Sequence, residues 1–195
     1  MGPDKRHVAI AGHTGDERAA VAGLDADDPA VRATALGALE RLGSLTDGMI
    51  DTSLRDPSPL VRRRAAQVAA GHPDVDLAPA LHDERADVVE MAAWACGEHE
   101  RDAEEIVGRL VALATSCDDP LVRESAVAAL GAIGSERGLP AILAATGDKP
   151  AVRRRAVLAL APFDGDDVEA AIDRALEDRD WQVRQAAEDL RRAAR

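Results

Sequence analysis

The side chains best suited to chemistry at a surface are an aromatic ring, a few long neutral groups and two pairs of arginines: Trp94, Met91, Leu158 and Gln67, with Arg63, Arg64, Arg154 and Arg155. Such a set recognises rather than reacts. An aromatic anchor near guanidinium groups is the composition of an interface hot spot, where one residue carries about 2 kcal/mol or more, and guanidinium forks pair with carboxylates. The set predicts a protein partner bearing acidic groups. Signals for catalysis are weaker. His7, His13, His72 and His82 are scattered over turns and ends, and the one His-Glu dipeptide, His99-Glu100, falls in a linker after Gly97, where a single pair cannot build a two-metal centre. Cys96 and Cys117 are too few for a disulfide framework or a zinc site, and their helices put the two thiols at opposite ends of a layer. No nucleophile constellation, glycine-rich phosphate loop or pair of catalytic carboxylates stands out. The expectation is no catalytic residue, no metal and no cofactor.

These residues are positioned by a recurring motif. Residues 118–134, DDPLVRESAVAALGAIG, read as a helix with Asp119 as N-cap and Pro120 in the first turn, an arrangement that satisfies orphan N–H groups and tolerates a missing donor. Val122, Ala126, Ala129, Leu130 and Ile133 form one apolar stripe of helical period, and Gly131 and Gly134 loosen the end. Near-copies place Val31, Val61, Val88, Val122, Val152 and Val183 in one register, separated by 30, 27, 34, 30 and 31 residues. Regular recurrence of one supersecondary unit predicts a repeat array rather than independent domains.

Each unit pairs a variable first helix with a motif helix. First helices are expected over 16–24, 45–54, 75–81, 103–115, 139–146 and 167–176, with Pro73 and Pro79 kinking the third or giving it partial 3₁₀ geometry. Motif helices are expected over 29–42, 59–71, 86–97, 120–133, 150–161 and 181–194. Residues 4–13 read as an N-terminal capping helix. The organisation is one domain, 1–195, with a cap over 1–14 and repeats 15–43, 44–71, 72–98, 99–134, 135–163 and 164–195.

Counting from each register valine as zero, position +4 is alanine in all six copies, which lets motif helices approach closely. Position +1 is Arg32, Arg62, Arg123, Arg153 and Arg184, with Val89 the exception. A cation in a first helical turn opposes the helix dipole and needs a carboxylate. The aspartates of the repeat turns supply one, so the +1 arginines are read as an Arg–Asp ladder and not as a binding site. Positions +2 and +6 lie opposite the buried stripe, with +3 on its flank. Those positions hold the eight residues named at the outset. In the last copy Trp181 takes the place of proline and is expected to cover the core edge, while Arg191 and Arg192 suit a face turned to water.

Of the 195 residues 46% are hydrophobic but only 2% aromatic, so the core is built of Ala, Leu and Val and the class is all-α. The net charge of −12 argues against nucleic acid and against an anionic membrane surface. No run is long enough to cross a bilayer, no secretion signal opens the chain, and Arg6 spoils the myristoylation-like start at Met1 and Gly2. A cytoplasmic location is expected. The arginine-heavy usage, with Lys5 and Lys149 the only lysines, is what a GC-rich bacterial coding bias produces.

The pattern D-x-P-x-V-R-x-x-A-x-x-A-L-G after an amphipathic helix resembles the HEAT repeat, in the short form of phycobilisome-lyase-like proteins. The resemblance covers residues 16–194. It implies a right-handed α-solenoid of about six hairpins, motif helices on the concave side, and a non-catalytic scaffold or adaptor that binds protein there. Its superfamily also implies alternatives. Deoxyhypusine hydroxylase presents His-Glu pairs on its inner helices at what align as +2 and +3, and no repeat here has them. Phycobilin lyases need a chromophore cleft, which a short chain poor in aromatics does not suggest. DNA glycosylases of this type use a basic concave surface, against which the net charge stands. The sequence sets no oligomeric state.

Overall fold

The computed structural model describes residues 4–193, in which every regular element is helical. The start at Met1 and Gly2 and the last residues, 194 and 195, lie outside the described part. The chain divides after Ala92 into two compact units. In the first, α1 (Lys5–Thr14) and α2 (Glu17–Leu24) pack on α3 (Pro29–Leu42), and α4 (Asp47–Ser53) and α3 pack on α5 (Pro59–Ala69). α6 (Ala86–His99) carries the chain from one unit into the other. The second unit holds α7 (Glu104–Ser116), α8 (Pro120–Ile133), α9 (Leu139–Ala145), α10 (Pro150–Ala159), α11 (Asp166–Leu176) and α12 (Trp181–Ala193), with α8 on α10 and α10 on α12.

Local chemistry explains the helix starts. The carboxylates of Asp4, Asp16, Asp28 and Asp119 accept from the backbone N–H groups of His7, Ala19, Ala30 and Leu121, and proline follows directly in α3 and α8. Gly15, Gly43 and Gly134 end α1, α3 and α8 in the left-handed conformation, where an L side chain would be strained.

Packing explains the repeat. All six register valines are buried, and the six alanines four residues on (Ala35, Ala65, Ala92, Ala126, Ala156 and Ala187) have no accessible surface. Alanine there is the contact residue the sequence required. Within the second unit the motif helices come closer still. A Cβ on Gly131 would stand 2.5 Å from that of Ala159, and one on Gly97 would stand 3.0 Å from the Cα of Ala129.

Those two contacts correct the reading of both glycines. Gly131 does not loosen the end of α8; it is the point where α10 lies against it. Gly97 is buried inside α6 rather than ending it, so the helix runs on through His99, and the His-Glu dipeptide straddles a helix end instead of lying in a linker. Glu100 then breaks the helix with a φ of 50°.

The third first helix meets the expectation of 3₁₀ geometry and departs from it in having no α-helical turn. Residues 75–81 form no α-helix; a 3₁₀ turn, Ala80–His82, stands in its place. Asp76 accepts from the N–H of Ala78, and Val75, Leu77 and Leu81 are buried. Pro73 and Pro79 lack the N–H donor and their rings crowd the carbonyl a helical turn would place there, but three apolar anchors suffice to close the layer.

Candidate functional site

The arginines separate into two groups. Arg32 and Arg62 in the first unit, and Arg123 and Arg153 in the second, each present Nε and Nη2 to both oxygens of the aspartate in the next repeat turn, Asp56, Asp83, Asp148 and Asp178, at 2.6–3.0 Å. Their Nη1 atoms turn back to carbonyls of their own turn, as Arg32 does to Ala26 and Asp27 and Arg123 to Cys117 and Asp118. Each aspartate also accepts a backbone N–H, from Ser58, Arg85, Lys149 and Asp180 in turn.

One guanidinium thus fastens its own helix start to the next repeat. The electrostatics agree with that role. Hydrogen bonding from the arginine holds Asp83, Asp148 and Asp178 below the usual carboxylate range, and at Asp56 burial pulls upward but is outweighed by Arg32. The arginines are shifted upward by the same bonds. In Arg32, Arg62 and Arg123 these bonds engage four of the five N–H donors.

The arginines at +2 and +3 are held differently. On α5, Arg63, Arg64 and Gln67 are half-buried, and Arg64 Nη1 donates to Gln67 Oε1 at 2.6 Å. Its guanidinium lies over Gly37 of α3, so close that a Cβ there would stand 2.1 Å from Nη2. Burial, and then the nearby Arg41, push the Arg64 pKa downward, against a smaller opposing pull from Glu40.

A cavity of about 280 Å³ opens beside it, lined by Ala33, Thr34, Gly37, Lys5, Arg41, Leu60 and Arg64 together with Ala30. The +2, +3 and +6 positions of α3 therefore do form a recess. Lys5, Arg41 and Leu60 were not among the sequence candidates. Leu60 stands at −1, a position that reads as buried beside the register valine, yet half of it is exposed. The signal available for Arg41 was its wrapping distance, ten residues past Val31.

On α6, Met91 is half-buried and Trp94 is 39% exposed, between the buried Ala93 and Ala95. On α10, Leu158 is also 39% exposed, and Arg154 and Arg155 are half-buried. Arg155 Nη2 lies 3.6 Å from Glu124 on α8, while its Nε is buried with no hydrogen-bond partner.

Trp181 corrects the expectation that it shields the core edge, because 64% of it faces solvent. At the start of α12 it points away from the packed stripe of Val183, Ala186 and Ala187. Arg191 reaches Glu169 and Asp173 of α11, and Arg192 bonds Asp189, all at the exposed surface. Both cysteines are free thiols. No cluster of three or more His, Cys, Asp or Glu side chains suited to a metal occurs among the described residues, nor is any described helix long and apolar enough to cross a membrane.

The fold is similar to that of YibA from Escherichia coli, with a TM-score of 0.73 and 20% identity over 96% of this chain and 75% of that one. A designed armadillo repeat protein solved in complex with the peptide (KR)4 gives 0.66 and 19% over 89% and 97%. Human deoxyhypusine hydroxylase, solved with glycerol, gives 0.50 and 22% over 95% and 77%. At these identities the likeness is one of fold. No curated protein matches the sequence. Residues 75–151 match the family described as HEAT repeats. Asp, Val, Arg and Ala keep the same register in the copies on both sides of that match.

Proposed function

We propose that this repeat protein is a non-catalytic scaffold or adaptor whose motif helices bind a polypeptide partner through acidic and apolar groups. The observation that carries this reading is the division among the arginines. Four of those at +1, Arg32, Arg62, Arg123 and Arg153, are taken up by the ladder, whereas Arg63, Arg64, Arg154 and Arg155 stand beside partly exposed apolar side chains and outside any bidentate pair.

Recognition in the first unit uses Arg63, Arg64 and Gln67. In the second, Leu158 offers apolar area beside Arg154 and Arg155, and along α6 Trp94 and Met91 form an aromatic anchor. A guanidinium N–H that is still accessible gains a charge-assisted bond on meeting a carboxylate, about 1.5–3 kcal/mol each. The designed armadillo relative was solved with a basic peptide; the opposite sign of the side chains offered here favours an acidic one.

Residue types on the same face support the non-catalytic part. Positions +2 and +3 hold Ala33 and Thr34, Arg63 and Arg64, Glu124 and Ser125, and Arg154 and Arg155, in place of the His-Glu pairs a hydroxylase of this superfamily uses.

The test is a peptide array spanning charge and hydropathy, probed with the wild-type protein and with Trp94→Ala, Leu158→Asp and Arg154→Glu. Binding enriched in acidic sequences with apolar neighbours, weakened ten-fold or more by at least one variant, supports the reading. Equal binding by all four proteins, or enrichment in basic sequences, overturns it.

A further inference from the structure

The recess on the first unit goes further than a general acidic preference. Its cationic side chains come from three helices: Lys5 from α1, Arg41 from α3 and Arg64 from α5. None of the residues that line it is acidic. The nearest carboxylate by its effect on Arg64, that of Glu40, is engaged with His72 at 3.1 Å, and His72 in turn meets Asp47 at 2.8 Å. Positive charge is therefore concentrated in one recess of a chain whose net charge is −12.

The floor has a feature that packing does not require. Gly37 sits inside α3, where glycine destabilises a helix relative to alanine. Its missing Cβ is what admits the guanidinium of Arg64, since the nearest atoms that a Cβ would meet are Nη2 at 2.1 Å, Cζ at 3.1 Å and Nε at 3.3 Å, all of that side chain. Gly12 of α1 is needed chiefly for the close approach of Ala38 on α3, with Arg41 Nη2 the next atom a Cβ would meet, at 3.2 Å. Thr34 gives its hydroxyl proton to the carbonyl of Ala30, so the hydroxyl offers the recess only acceptor capacity and the donors are the cations. Leu60, half exposed, forms an apolar rim.

We propose that this recess is an oxyanion subsite, in which Lys5, Arg41 and Arg64 hold a carboxylate or phosphate group carried on a bound peptide while Leu60 covers the peptide's adjoining apolar side chain. The proposal rests on the protein-binding reading and specifies its chemistry in the first unit. Gly37 acts as a positioning residue: it touches no ligand and sets where the Arg64 guanidinium lies. About 280 Å³ accommodates a glutamate side chain or a phosphoserine together with part of a neighbour.

The experiment is fluorescence anisotropy of the full chain with three labelled probes: hexaglutamate, the same peptide with one phosphoserine, and hexalysine. Wild type binds one or both acidic probes and not hexalysine; the better acidic probe distinguishes carboxylate from phosphate as the group taken. Arg41→Glu replaces attraction by repulsion and weakens binding about a hundred-fold. Gly37→Ala is the discriminating variant, because its Tm stays equal or rises while binding falls about five-fold or more as Arg64 is displaced. The subsite is overturned if Gly37→Ala and Arg41→Glu both bind like wild type, or if hexalysine binds best. If neither acidic probe binds but array peptides do, the subsite falls and the broader reading survives. If no peptide binds in either experiment, both fall.

Discussion

Arginines less than one turn apart on the same helices illustrate how little residue type decides alone. Arg62 and Arg64 both lie on α5. Arg62 closes a two-pronged pair with Asp83 and caps its own turn, while Arg64 lies over a glycine with one neutral partner, Gln67. The ladder region spends most of its guanidinium donors on structure. The motif-helix face leaves donors open, and openness is the property a binding surface needs. The difference comes from which repeat turn the helical screw brings opposite each position, not from the side chain itself.

Removing a ladder arginine should produce the largest effect. Arg153→Ala leaves Asp178 largely buried and without its cation, so the expected loss is about 3 kcal/mol in urea unfolding; a loss below that of Arg63→Ala would abolish the distinction between the two regions. Overpacking the seam comes next. Ala126→Leu puts a branched side chain at a contact with no accessible surface, and a destabilisation of about 2 kcal/mol is expected from thermal melts. Asp119→Ala removes the cap on Leu121 and should lower stability by about 1 kcal/mol in the same assay.

The pH dependence sharpens the comparison because it reports on the ladder and hardly on the face. The four ladder aspartates have folded pKa values below the ordinary 3.8, so their contribution is complete above that value and is lost as pH falls through the lowered folded values. Tm should drop steeply only in that acid range, and Arg153→Ala should flatten part of the drop.

His72 adds a smaller slope of opposite sign. Burial would lower its pKa, but hydrogen bonds to Glu40 and Asp47 raise it above 6.5, so its contribution is present below 6.5 and is lost as pH rises through the folded value. His72→Gln should remove that slope. The smallest effect expected is that of Arg63→Ala, within about 0.5 kcal/mol of wild type, since the side chain closes no pair on which the fold depends.

Much of this fold was legible because the repeat states its own rules six times. The caps at Asp28 and Asp119, the buried valine register, the alanine contacts and the Arg–Asp pairs all follow from one motif read in phase. The failures occur where a local signal had two meanings. Gly97 and Gly131 read as helix ends because glycine commonly ends helices, but here it lets two helices touch. Trp181 read as a cover because aromatic rings seek burial, yet its place at the start of α12 turns it outward. Over 75–81 the prolines signalled the 3₁₀ geometry that is present at Ala80–His82, and only the expected helical turns before it are missing.

For the candidate site, the register marked Arg63, Arg64, Gln67, Met91, Trp94, Arg154, Arg155 and Leu158 as lying away from the buried stripe, and each is at least partly accessible. It did not mark Lys5 in the cap or Leu60 in the next copy, and for Arg41 it offered only the spacing of ten residues from Val31. By itself the sequence determined the period, the helix starts, the core register and the carboxylate partners of four of the five arginines at +1, because those depend on neighbours within one or two repeats. Only the tertiary structure decided that Gly37 would shelter the guanidinium of Arg64 and that three cations from three helices would share one recess. That choice rests on how closely whole helices approach, a distance set by the sum of many side-chain contacts and written in no single stretch of chain.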